Sequence, residues 1–190
     1  MTLRLDLLRH GETERGGGLR GSLDDALTPV GWQQMRDAVA NPAAWQRIAS
    51  SPLQRCARFA EQLSSQLSLP MSLEPDLQEL HFGDWEGVST AQLMETDAEG
   101  LGRFWENPYT FTPPNGEPVS AFSERVCGAV LRLQQKHDGE RILLISHGGV
   151  MRLLLAQARG LPREQLLQVV VGHGGLFGLN VDADCALTEV

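Results

Sequence analysis

Two histidines in this chain stand directly before glycine and directly after an apolar run. Arg9-His10-Gly11 follows LRLDLL, and Ser146-His147-Gly148-Gly149 follows RILLI. A neutral imidazole is a nucleophile once its second nitrogen is held by a hydrogen bond. Glycine after it permits a backbone turn that bulkier residues resist. A guanidinium beside it binds an oxyanion through paired N–H groups. The chemistry this combination suits is attack by His10 on phosphorus while Arg9 holds the phosphate. A structural, partly buried histidine is the alternative. His147 and Gly148 open an apolar helical pattern, VMRLLLAQ, whose free N–H groups favour an anion.

A third cation, Arg55, lies four residues beyond Ser51. Ser51 reads as a helix cap, with Pro52 at the first helical position and Gln54 at capping-box spacing. Arg55 then opposes the helix dipole and lies about 200° around the helix from Leu53, away from the apolar stripe. A bound anion offsets that arrangement; a solvated surface arginine is the other reading, and Arg58 is either a helper or surface. A leaving oxygen also needs a proton. The stretch LQELHFGDWEG holds three candidate acids, Glu79, Asp84 and Glu86. Glu79 follows the apolar Leu77 at a strand end and is the best placed of them, and His81 is close enough to Glu79 to line a site. His173-Gly174-Gly175 repeats the HGG pattern, but between two apparent strands, LLQVVVG and LFGLNV, so a turn role is expected for His173.

The elements that must position these groups alternate between strand and helix. Leu3, Leu5 and Leu7 alternate with Arg4 and Asp6 as in a strand. Thr28-Pro29 opens a helix over 29–40. Ile48-Ala49 suits a short strand, and Leu53, Cys56, Ala57, Ala60, Leu63 and Leu67 form the stripe of the next helix. RILLIS is apolar on both faces, as in a sheet covered on each side. The expected fold class is α/β, a mostly parallel sheet with helices on both faces. One domain is expected over residues 1–190, with an aromatic-rich, helical or irregular insertion at about 82–122. Seven of the eleven aromatic residues fall in that insertion. In such sheets, polar loops at the carboxyl ends of strands gather into one crevice.

A net charge of −8 argues against a nucleic-acid or membrane surface as partner, while a few focused arginines still attract a small anion. Three cysteines without C-x-x-C spacing exclude a disulfide framework or zinc site. The N-terminus lacks signal-peptide features, and no stretch approaches the ~18 apolar residues of a membrane span. A cytoplasmic location is expected, with no metal and no cofactor.

Four stretches taken together, LLRHGET, SSPLQRCARFAEQL, LQELHFGDWEG and ISHGGVMRLLLA, resemble the motifs of the histidine phosphatase superfamily, the phosphoglycerate mutase-like family, and in its order. The resemblance implies that His10 becomes phosphohistidine, that Arg9, Arg55 and His147 form the phosphate pocket, and that Glu79 is the proton donor. The family often carries an asparagine several residues after the nucleophile. Here that loop reads Glu14-Arg15-Gly16-Gly17-Gly18, which leaves Arg15 or Arg20 to compensate. NGEPVSAFSERV and the compact length are similar to the α-ribazole phosphatases of cobalamin synthesis. The implied substrate is a small phosphomonoester. A broad-specificity phosphatase, a phosphoglycerate mutase, a protein-phosphohistidine phosphatase and a catalytically inactive phosphate-binding protein are the competing readings. The sequence leaves monomer or homodimer open.

Overall fold

The computed structural model describes residues 2–190. Six strands form one mixed sheet in the order β3-β2-β4-β1-β5-β6: β1 (Leu3–Arg9), β2 (Arg47–Ser50), β3 (Met71–Leu73), β4 (Arg141–Ser146), β5 (Leu176–Val181) and β6 (Leu187–Glu189). The first four strands in that order are mutually parallel. Strand β5 runs antiparallel to β1, and β6 antiparallel to β5. Six helices accompany them: α1 (Pro29–Ala38), α2 (Gln54–Leu67), α3 (Thr90–Thr96), α4 (Ala98–Glu106), α5 (Val119–Lys136) and α6 (Gly148–Ala158).

The continuous apolar run in β4 follows from two covered faces. Ile142 and Leu144 pack with α5, α6 and the insertion, whereas Leu143 and Ile145 pack with α1 and α2. Alternate side chains of one strand thus enter two separate cores. Thr28 caps α1 as expected, its hydroxyl accepting from the Gly31 N–H at 3.0 Å, with Pro29 at the first position.

The structure corrects several sequence expectations. Helix α2 begins at Gln54, with Leu53 extended before it and no side-chain cap of its own. Its Gln54 N–H donates instead to Asp24 Oδ1 at 2.7 Å, so a distant loop replaces the Ser51 cap. LLQVVVG forms no strand. Residues Arg163–Gln168 make a 3₁₀ turn, and the next residues run on as a loop. Val169 and Val171 are buried while Val170 is 81 % exposed, an alternation that imitates a strand. Arginine side chains, not a neighbouring strand, take the Val169 and Val171 carbonyls. The second closing strand is β6.

The insertion holds a 3₁₀ turn at Gly83–Trp85 and two helices, α3 and α4. Helix α5 begins at Val119, inside the range assigned to the insertion. Ser89 and Gln92 cap α3 reciprocally. Asp97 caps α4 through the Gly100 N–H and accepts from Trp85 Nε1 at 3.2 Å. Trp85 stacks on Phe111 (5.6 Å, 27°) and meets Phe104 edge-on (5.8 Å, 85°), so part of the aromatic content packs within the insertion itself.

Candidate active site

The parallel pairing of β1 with β4 places Arg9 opposite Ser146. One residue further along each strand, His10 and His147 therefore emerge side by side, their ring centroids 5.3 Å apart. Strand β2 continues the pattern: the Ser51 N–H donates to the Ile145 carbonyl, and Ser51 Oγ lies 2.7 Å from His147 Nε2. The serine read as a helix cap is a histidine partner instead.

His10 is buried and Nδ1 lies 2.8 Å from the Gly11 carbonyl. A carbonyl only accepts, so Nδ1 carries the proton and Nε2 keeps its lone pair. Burial, then the nearby Arg55, lowers the His10 pKa well below the usual 6.5. Gly11 is required here, because a Cβ would fall onto the Gly31 backbone where loop and α1 cross.

His147 is fully buried, and burial followed by Arg55 lowers its pKa well below 6.5 as well. It is a neutral hydrogen-bonding group near pH 7. Cys56 Sγ packs beneath it, 3.8 Å from Nε2. Burial pushes that thiol up to about 12, so Cys56 is inert core.

The arginines are held by backbone carbonyls. Arg9 Nη1 donates to the Val171 carbonyl at 2.6 Å, and its buried Nε has no partner. Arg55 is fully buried, not a solvated surface residue. Its Nη1 and Nη2 donate to the Leu23 and Gly21 carbonyls at 2.5 and 2.8 Å. Its buried Nε has no partner. Asp25 supplies the counter-charge, 3.7 Å from Arg55 and 3.1 Å from Arg20. Arg58 is surface, paired with Glu61.

Glu79 reaches the start of α6. Its Oε2 accepts from the Gly149 N–H at 2.8 Å and its Oε1 from the Leu80 N–H at 2.9 Å. A Cβ at position 149 would collide with this carboxylate, which accounts for the second glycine of the HGG motif. The other two acids do structural work. Burial alone would raise Glu86, but backbone N–H groups of Phe82, Ser22, Gly21 and Leu23 outweigh it and hold the carboxyl below its usual range. Asp84 accepts from Asn115 Nδ2 at 3.1 Å.

One cavity collects Arg9, His10, Glu12, Arg20, Glu79, Arg152 and His173. Arg20 is on its wall, tied through Nη1 to Thr13 Oγ1 and the Gly16 carbonyl; Arg15 is exposed and off the wall. His173 corrects the turn expectation: its ring lies 5.7 Å from that of His10. Backbone hydrogen bonds of Gly174 and Gly175 to Arg9 bring it there, a long-range tie with no local sequence signal. His81 is exposed and does not line the cavity. Arg152, on the first turns of α6, was not anticipated at all.

A second, apolar cavity adjoins the first. Leu80, Phe104, Trp105, Pro108, Val119 and Phe122 contribute to it, and five of these six fall within 82–122.

A family model described as "Histidine phosphatase superfamily (branch 1)" matches residues 5–188. The chain belongs to that superfamily. The adenosylcobalamin/alpha-ribazole phosphatase of Escherichia coli strain K12 is 32 % identical over 192 residues, covering 99 % of this chain and 95 % of that protein. Phosphoglycerate mutase-like protein 4 of Arabidopsis thaliana is 31 % identical over 180 residues, covering 90 % of this chain and 78 % of its own length. Among solved structures, the alpha-ribazole phosphatase of Shigella flexneri superposes with a TM-score of 0.84 at 31 % identity, over 98 % of this chain and 94 % of that one. A mycobacterial glucosyl-3-phosphoglycerate phosphatase gives 0.86 at 26 % identity, over 100 % and 97 %. The superfamily member described here is a histidine-phosphatase-type phosphomonoesterase acting on small molecules. Among the described residues, no helix is long and apolar enough to cross a membrane.

Proposed function

We propose that the enzyme hydrolyses α-ribazole 5′-phosphate through a phosphohistidine on His10. The observation that carries the catalytic part is the pair of neutral imidazoles, 5.3 Å apart, in the electrostatic reach of Arg9 and Arg55, each of which has a buried Nε without a partner. Buried donors without acceptors are costly in isolation, and a phosphate dianion satisfies them. Arg9 and Arg55 orient it, and His147 with Gly148 completes the pocket. His10 Nε2 forms a bond to phosphorus as the ester P–O bond breaks, and Glu79 gives its proton to the leaving oxygen. Water then attacks phosphorus, Glu79 takes its proton back, and the P–N bond breaks to release inorganic phosphate. Arg20 holds the place of the family's asparagine.

Two facts support α-ribazole phosphate as substrate. The E. coli relative bearing that name aligns over 99 % of this chain. The apolar, aromatic-lined cavity beside the phosphate pocket also suits a flat heterocycle. Phosphate release from a panel of phosphomonoesters tests the reading. α-Ribazole 5′-phosphate is expected to exceed the next substrate in kcat/KM by about tenfold or more, the range that pocket complementarity supplies. A flat profile, or isomerisation of phosphoglycerate without phosphate release, overturns it.

A further inference from the structure

The phosphate cavity and the apolar cavity share four residues, Leu19, Glu79, Phe82 and Arg152. A substrate occupying both must pass between these side chains. Two of the four are apolar. Glu79 faces the leaving oxygen in the mechanism above, which leaves Arg152 as the polar group beside the atoms that follow the ester.

Arg152 is fixed for such a role. Its Nε donates to the Val169 carbonyl at 3.0 Å, two residues from the carbonyl that holds Arg9. The two guanidiniums flank one point at the start of α6: a Cβ on Gly148 would lie 3.2 Å from Arg9 Nε and 3.6 Å from Arg152 Nη1. Among the described residues Arg152 has no ion pair, and neither Nη atom has a hydrogen-bond partner. It is therefore a held cation that lines both cavities, with nothing of the protein to accept from its Nη groups. Glu79 lines both cavities as well, but its oxygens accept from the Leu80 and Gly149 N–H groups and no hydrogen bond or ion pair joins it to Arg152.

We propose that Arg152 is a specificity-determining residue that donates to hydroxyl oxygens on the sugar joining the phosphate to an apolar aglycone. The substrate class is then a sugar phosphate carrying a flat apolar group, the sugar hydroxyls lying against Arg152. This rests on the His10–Glu79 reading for the position of the ester and deepens it by assigning the stretch between phosphate and ring.

The test uses a matched pair, adenosine 5′-monophosphate and its 2′,3′-dideoxy analogue, with wild type, Arg152→Met and Arg152→Lys. The readout is the ratio of kcat/KM between the two esters, with KM and kcat resolved. In wild type the hydroxylated ester is expected to lead by about tenfold or more, the scale of hydrogen bonds from a charged donor, mostly in KM. In Arg152→Met the ratio falls towards unity, and Arg152→Lys keeps part of it. Melting temperatures show whether each variant is folded, and the charge-conserving variant still decides the question if Arg152→Met unfolds. A wild-type ratio near unity overturns the proposal. So does an equal loss for both esters in the variants, which makes Arg152 part of the phosphate pocket. α-Ribazole 5′-phosphate assayed in parallel separates the two readings. If it is not preferred while the ratio depends on Arg152, the substrate identity fails and the role of Arg152 stands.

Discussion

The phosphate end and the aromatic cover are built on opposite plans. At the phosphate end, residues 10, 55, 79, 147 and 173 come from five separate parts of the chain. Parallel strand register and backbone carbonyls or N–H groups hold them. The groups are polar; His10, Arg55 and His147 are buried, Glu79 is half-buried and His173 is exposed. The cover comes from one continuous stretch. Its helices are capped by their own residues, and Trp85, Phe104 and Phe111 pack on one another. A region tied at many distant points cannot change one residue without disturbing the others. A locally closed region can vary while the sheet stays intact. On the proposed reading, the comparison puts the reacting groups at the carboxyl ends of the central strands and leaves the insertion to supply the apolar wall of the substrate site.

The sharpest way to break this division is to remove the nucleophile. His10→Ala is expected to lower phosphate release by about 10⁴-fold or more while the far-UV spectrum stays native. Retained turnover ends the assignment. The counter-charge of the buried arginines comes next. Asp25→Ala leaves Arg55, with no exposed surface, facing no carboxylate, and should cost about 3–5 kcal/mol in urea unfolding. An unchanged midpoint means that the loop carbonyls suffice.

Glu79→Gln should cost about 10²-fold or more in kcat for an alkyl phosphate and far less for p-nitrophenyl phosphate, whose leaving group needs little protonation. Equal losses on both substrates point to a structural role at the start of α6. The histidines predict a pH effect on stability. Native His10, His147 and His173 all have pKa values lowered from 6.5, first by burial. As pH falls below about 6.5 the unfolded chain takes up protons that the native site refuses, so stability declines with decreasing pH. The stabilisation is fully present above 6.5. Chemical denaturation in a pH series checks the sign, and His147→Asn should flatten the slope.

The smallest effect belongs to the cover. Trp105 is 49 % exposed on the rim of the apolar cavity. Trp105→Ala should reduce kcat/KM for an aromatic substrate by about three- to tenfold, leave glycerol phosphate turnover nearly unchanged, and barely alter stability. A loss on glycerol phosphate as large as on the aromatic ester contradicts the division of labour.

Much of the sheet was legible because burial on two faces leaves a periodic trace. RILLIS and LRLDLLR became β4 and β1, and Thr28-Pro29 marked the start of α1. Where a local pattern had a non-local use, reading failed. Ser51-Pro52 looked like a cap, yet the hydroxyl serves His147 and Asp24 caps the helix. LLQVVVG alternated like a strand, yet its carbonyls hold Arg9 and Arg152.

The amino-acid sequence by itself determined which residues carry reactive groups and that two of them sit at strand ends: His10 and His147 follow apolar runs whose periodicity is local, whereas Glu79 follows the 3₁₀ turn Pro75–Leu77 and not the strand end expected for it. Only the tertiary structure decided the company they keep. The burial of Arg55, the neutrality of His147, the approach of His173 and the anchoring of Arg152 on the Val169 carbonyl all depend on atoms many residues away. Desolvation and hydrogen-bond partners are properties of the folded surroundings, and no spacing along the chain encodes them.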